Sequence, residues 1–215
     1  MHWDRNWYLE INDFARHTPW LHGVAAAYAL WGGLVALAAL LIATWWTARQ
    51  SREPASPVAL AVLTGMSTVV SVLANQALIS PVFARQRPCR TQPGVEVLLR
   101  CGTDYSLPSD HCIIAGAFVA GLWLTGRRNG AVATGLALLL AFTRVYTGVH
   151  YPLDTVTGLL TGALICTVIV TGLRLPATAL ANALTATRLR GLITSARRVT
   201  PAAEPGSPAP LGQRS

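Results

Sequence analysis

The chain has 215 residues, room for one domain with short appendages, and 52% of them are hydrophobic against 12% charged, with mean hydropathy +0.42. That balance excludes an ordinary soluble domain. The formal charge of +8 comes from seventeen arginines and no lysine, and they lie between apolar segments instead of forming one basic patch, which argues against a nucleic-acid partner.

Residues 1–18 carry Asp4, Glu10 and Asp13 and have no apolar core, so they do not read as a cleavable signal peptide. Trp3, Trp7, Ile11 and Phe14 recur there at helical spacing, which predicts an amphipathic helix at the membrane interface with its tryptophans at headgroup level. Five apolar segments follow, at about 21–46, 57–79, 111–125, 131–145 and 153–173. The third and fourth are short for a bilayer. The expected fold is therefore an all-α polytopic bundle of about five transmembrane helices, with its membrane domain over residues 19–175. Ser56 and Pro57 are expected to open the second span, and Gly158 and Gly162, one helical turn apart, to form a close-packing face. Residues 176–199 mix leucines with arginines and read as a basic amphipathic cytoplasmic segment, and the Pro- and Ala-rich residues 200–215 as a disordered tail.

Arg49 and Arg52, Arg127 and Arg128, and the cluster from Arg174 to Arg198 alternate with the spans so that all fall on one side, which the positive-inside rule makes cytoplasmic. The N-terminus, the 80–110 loop and the 144–154 turn then lie outside. Arg85, Arg87, Arg90 and Arg100 break that rule, and an anion to bind would account for them. Cys89 and Cys101 share the outside loop, where they would form a disulfide under oxidising conditions or stand as two thiols. Cys112 and Cys166 read as packing residues. No Cys or His spacing suits a metal.

Three polar islands share the outside face: residues 84–90 with Arg85, Arg87 and Arg90, then Pro108-Ser109-Asp110-His111, and Arg144 with His150 and Asp154. Ionisable groups at the edges of spans merit a functional hypothesis. A helix opening near Ser109 would offer free backbone N–H groups to an anion, and arginine forks suit phosphate oxygens. Asp154, four residues after His150, would orient that ring as a nucleophile, and His111 would protonate a leaving oxygen. Together these describe phosphoryl transfer to water. Taken singly, each island also has a bland reading as a helix cap, an interfacial turn or a snorkelling arginine.

The islands resemble the signature of the type 2 phosphatidic acid phosphatase superfamily: Lys, six residues, Arg-Pro; then Pro-Ser-Gly-His; then Ser-Arg, five residues, His, three residues, Asp. This chain has Arg87-Pro88, Pro108-Ser109-Asp110-His111, and Thr143-Arg144 followed at the same spacing by His150 and Asp154. The resemblance implies a metal-independent lipid phosphatase without cofactors. His150 would be the nucleophile that forms a phosphohistidine, Asp154 its orienting partner and His111 the acid, with Arg87, Arg144, Ser109 and the backbone at Asp110 clamping phosphate. Two departures stand out. Ser80 occupies the lysine position, for which Arg85 is a candidate substitute, and Asp110 replaces glycine. The aspartate resembles the bacterial undecaprenyl-diphosphate phosphatase subgroup. It implies a polyprenyl diphosphate substrate, undecaprenyl or decaprenyl, met at the outer face of a bacterial plasma membrane during cell-wall biogenesis. Phosphatidic acid, phosphatidylglycerol phosphate and a polyprenyl-phosphoryl sugar phosphate remain open, as does a catalytically silent phosphate-lipid binder or transporter.

Overall fold

The computed structural model describes residues 2–195, all helix, turn and loop. Helix α1 (His2–His17) precedes α2, which runs over Pro19–Ala48 with a π-helical turn at Tyr28–Gly32. Helix α3 (Ala55–Ala74) passes through a second π turn, Asn75–Ile79, into Ser80–Phe83. Helices α4 (Asp110–Thr125), α5 (Arg127–Tyr146) and α6 (Pro152–Leu184) complete the bundle. Four helical segments are long and apolar enough to cross a membrane, and α4 is a fifth, shorter apolar helix. The protein is a polytopic helical membrane protein.

Lipid-facing stripes are visible at helical spacing, as in α6, where Val156, Leu160, Leu164 and Val168 are exposed. The inner contacts use small residues. A Cβ on Gly116 would lie 2.0 Å from the Leu159 carbonyl oxygen, and one on Gly162 2.0 Å from that of Ile113. Helices α4 and α6 can therefore touch backbone to backbone, and theirs is the most extensive helix contact among the described residues. Close approach carries through to the helix starts, where the Ser109 N–H donates to the Asp154 carbonyl at 3.0 Å.

Three details differ from expectation. Helix α3 opens at Ala55 behind Pro54, with no side-chain cap, so Ser56 is not its cap. Helix α6 does not end near 173. It continues through Pro176 to Leu184, about 50 Å in all. Its last turns stay helical because Ala177, Ala181 and Leu184 pack on Ala48, Ala55, Val58, Ala59 and Ile193. The basic segment is thus a continuation of a span plus a short turn, Arg190–Ile193, and its Arg197 and Arg198 lie, with the 200–215 tail, outside the described residues.

Arg49 donates to the Gly191 carbonyl, and Asn129 donates to Thr44 beside the α4–α5 turn, so the arginine clusters gather at one end of the bundle. The polar islands occupy the other end. There α1 lies with Trp3, Trp7 and Phe14 exposed while Asp4, Tyr8, Asn12 and Ala15 face inward. Asn12 holds both backbone polar groups of Glu96, and Arg5 donates to Gln92. The helix is docked on the 92–98 loop.

Candidate active site

His150 lies in the turn between α5 and α6, 1% exposed. Its Nε2 is 2.9 Å from Arg87 Nη1. A guanidinium only donates, so Nε2 presents its lone pair and the ring proton sits on Nδ1. Nδ1 donates to the Ser106 carbonyl at 3.0 Å, and Asp154 Oδ2 is farther off at 3.6 Å. Burial pushes the imidazole down to about 3, with Asp154 opposing and the Arg144 and Arg87 charges adding to the shift. The ring is therefore neutral at physiological pH, with its basic nitrogen turned to a cation that suits phosphate.

Asp154, fully buried, is held from several sides. Its Oδ2 accepts from Ser106 Oγ at 2.5 Å and from the Tyr151 N–H at 2.8 Å, and its Oδ1 accepts from Arg85 Nη1 at 2.8 Å. Arg85 thus lies on the carboxylate oxygen that does not face His150. Its other nitrogen, Nη2, donates to the buried Asp4 at 2.5 Å, and its guanidinium stacks 4.0 Å over Tyr151. The place offered to Arg85 as a replacement phosphate cation is not the one it takes here, because two carboxylates already hold it.

Arg87 is buried and splits its donors. Besides His150, it reaches the Val149 carbonyl at 3.1 Å and, through Nη2, Asp104 at 2.7 Å. Burial acts to raise the Asp104 carboxyl, but the hydrogen bond and charge of Arg87 outweigh it and hold the group below the usual carboxylate range. Arg144 is buried with one bond to the Ala29 carbonyl at 3.3 Å, and its Nε has no protein partner. Ser109 Oγ is likewise buried without a partner, at the N-terminus of α4. Unpaired buried donors of this kind are rare and favour an anion. His111 Nε2 meets the Leu30 carbonyl at 3.2 Å; a carbonyl only accepts, so the proton is on Nε2. Ala29 and Leu30, the acceptors for Arg144 and His111, both belong to the π turn of α2, a distortion often found at functional sites.

Asp110 is accommodated without a cation. Its carboxylate takes amide hydrogens from Asn75 at 2.7 Å and Gln76 at 3.0 Å, both on the π turn after α3, and it stands in the first turn of α4 where the helix dipole favours it. Beside it opens a cavity of about 440 Å³ lined by Asn75, Gln76, Ser80, Asp104, Tyr105 and Asp110. Cys89 and Cys101 are joined as a disulfide across the loop that carries Arg87 and Asp104. Among the described residues no group of three or more His, Cys, Asp or Glu side chains stands together to hold a metal ion.

The islands thus bring His150, Asp154 and Arg87 into direct or near contact, with Arg144, Ser109 and His111 around them. Sequence reasoning missed Ser106, Asp104 and Asp4. Ser106 and Asp104 lie in a loop without periodicity and carry no signal. Asp4 had one: Asp4, Tyr8, Asn12 and Ala15 form a stripe one residue out of phase with the tryptophans.

Fold and site together define a membrane-embedded phosphatase that acts on lipid phosphates. Residues 57–175 match the PAP2 superfamily, and the chain belongs to it. It is 27% identical over 154 residues to the bacitracin transport permease protein BcrC of Bacillus licheniformis, covering 72% of each chain. It is 32% identical over 133 residues to the undecaprenyl-diphosphatase BcrC of Bacillus subtilis, covering 61% of this chain and 65% of that one. The crystal structure of Aquifex aeolicus LpxE shares the fold at a TM-score of 0.56 and 24% identity, over 76% of this chain and 94% of that one.

Proposed function

We propose that this phosphatase hydrolyses a polyprenyl diphosphate at the extracytoplasmic face of a bacterial plasma membrane. The observation that carries the chemistry is the neutral, buried His150 with its Nε2 lone pair directed at Arg87. In the reaction, Arg87 turns its donor from Nε2 to a phosphate oxygen as the headgroup arrives. Nε2 attacks phosphorus, the bond to the bridging oxygen breaks, and His111, which enters this step as the imidazolium beside the anionic headgroup, gives its Nε2 proton to the departing lipid monophosphate and is left neutral. The Nδ1 proton of His150 stays with Ser106 and Asp154, which support the cation on the phosphohistidine. Water, deprotonated by His111, then releases phosphate and restores the neutral ring. Arg144, Ser109 Oγ and the first N–H groups of α4 hold the non-bridging oxygens.

The choice of substrate rests on Asp110 and on the undecaprenyl-diphosphatase named among the relatives. The outer face rests on the arginine clusters at the far end of the bundle. The test incubates purified protein with undecaprenyl diphosphate, phosphatidic acid, phosphatidylglycerol phosphate and a polyprenyl-phosphoryl sugar phosphate, each with and without EDTA, and measures phosphate. Release is expected to be fastest from the diphosphate, unchanged by EDTA, and absent in His150→Ala and His111→Ala. A faster rate on another lipid reassigns the substrate. Loss of activity with EDTA overturns the metal-free mechanism, and tight lipid binding with no release from any substrate makes the protein a binder or transporter.

A further inference from the structure

Asp4 is charged and fully buried, although it stands in the first turn of a helix that presents tryptophans to the membrane interface. A buried carboxylate needs strong partners, and Asp4 has two. Its Oδ1 accepts the Leu153 N–H at 2.8 Å, a donor that the N-terminus of α6 leaves free. Its Oδ2 accepts from Arg85 Nη2 at 2.5 Å. The same guanidinium donates through Nη1 to Asp154 at 2.8 Å, so its planar fork spans two carboxylates, one on α1 and one behind the reactive histidine.

The contacts around this fork reinforce it. Arg85 stacks on Tyr151, and Tyr8 of α1 packs on the other residue of that pair at 5.1 Å between ring centres. The Arg85 backbone carbonyl accepts the Ser106 N–H at 2.8 Å, and Ser106 in turn donates to Asp154 and accepts from His150. Every bond that orients His150 from behind therefore leads back to Arg85, and Arg85 is anchored by Asp4.

We infer that Asp4 is a positioning residue of the catalytic centre: it fixes Arg85, and Arg85 fixes Asp154 and Ser106 behind His150. The inference rests on the reading of His150 as nucleophile. Asp4 touches neither substrate nor the reacting atoms, so its effect falls on the transition state, where the ring must carry charge in one orientation, and leaves ground-state binding alone.

Asp4→Asn keeps the shape and an acceptor for Leu153 but opposes an amide donor to a guanidinium donor, which turns Arg85 away from its fork. In the full-length enzyme in detergent micelles, this variant is expected to lower kcat roughly tenfold with KM within about twofold of wild type. In an Arg85→Gln background it should have no further effect, because the link is already cut. Asn12→Ala, which loosens the far end of α1 from Glu96 without touching the fork, should lower Tm and leave kcat as it is. A second readout does not depend on the lipid: binding of vanadate, which mimics five-coordinate phosphorus, should weaken about tenfold in Asp4→Asn, while binding of inorganic phosphate stays level. Wild-type kcat and vanadate affinity in Asp4→Asn, additive effects with Arg85→Gln, or an equal loss of kcat in Asn12→Ala would each overturn the inference. Those results differ from failure of the nucleophile reading, in which wild type and His150→Ala bind vanadate equally, and the role of Asp4 falls with it.

Discussion

Removing the Ser106 hydroxyl tests the geometry behind His150 most directly. Ser106 is fully buried, and its Oγ donates to Asp154 Oδ2 at 2.5 Å, while its carbonyl takes the His150 Nδ1 proton. In Ser106→Ala the carbonyl remains, and Oδ2 keeps the Tyr151 N–H at 2.8 Å. One charge-assisted bond is lost, worth about 1.5–3 kcal/mol. If about 2 kcal/mol of that appears in the barrier, kcat falls about 30-fold. KM should not move, since the hydroxyl faces a carboxylate and not the anion. Steady-state phosphate release at several substrate concentrations separates the two constants, with circular dichroism and Tm as controls for folding. A kcat within twofold of wild type, or a raised KM at unchanged kcat, refutes the assignment of Ser106 as a support of the dyad.

If Arg87 clamps phosphate as proposed, Asp104 competes with substrate for it, through an ion pair that leaves the Asp104 side chain 59% exposed. Asp104→Asn should therefore lower KM a few-fold at constant kcat, in line with about 0.2–1 kcal/mol for an exposed ion pair; a raised KM contradicts the competition. His150, held neutral down to about pH 3, takes up its proton in the unfolded chain near pH 6.5. Its contribution to stability is present above about 6.5 and is lost as pH falls towards 3, by up to about tenfold in the folding equilibrium per pH unit. Melting in micelles across that range should show this slope in wild type and less of it in His150→Gln; equal slopes refute the buried neutral ring. Reduction of the Cys89–Cys101 disulfide, or Cys89→Ser, removes a cross-link over a separation of 12 residues and should cost about 3 kcal/mol, read as a fall in Tm; an unchanged Tm shows that helix docking alone orders the loop.

Much of the fold was legible because lipid imposes a simple code. A helix that must satisfy its own backbone in hydrocarbon shows as a long apolar run, and arginines mark the ends. The weak points were ends held by packing. The apolar run ends near 173, yet α6 passes on through Pro176 because Ala177 and Ala181 pack against two other helices. The site was legible to the extent that it is made of short spacings. His150 and Asp154 lie four apart on one turn, but the nearest acceptor for Nδ1 is a backbone carbonyl 44 residues away, which no pattern signals.

Asp110 and Arg85 separate the two sources of information most clearly. From the sequence alone came the membrane class, the three islands, their common face and the chemistry that their residue types permit, since these follow from composition and local periodicity. Only the tertiary structure decided which partner each charge takes. Asp110 turns to the Asn75 and Gln76 amides, and Arg85 to Asp4 and Asp154, because partial loss of water obliges each group to find the nearest compensating dipole or charge. Which group is nearest depends on how α1, α3, α4 and α6 pack, a matter of contacts between residues up to 149 positions apart.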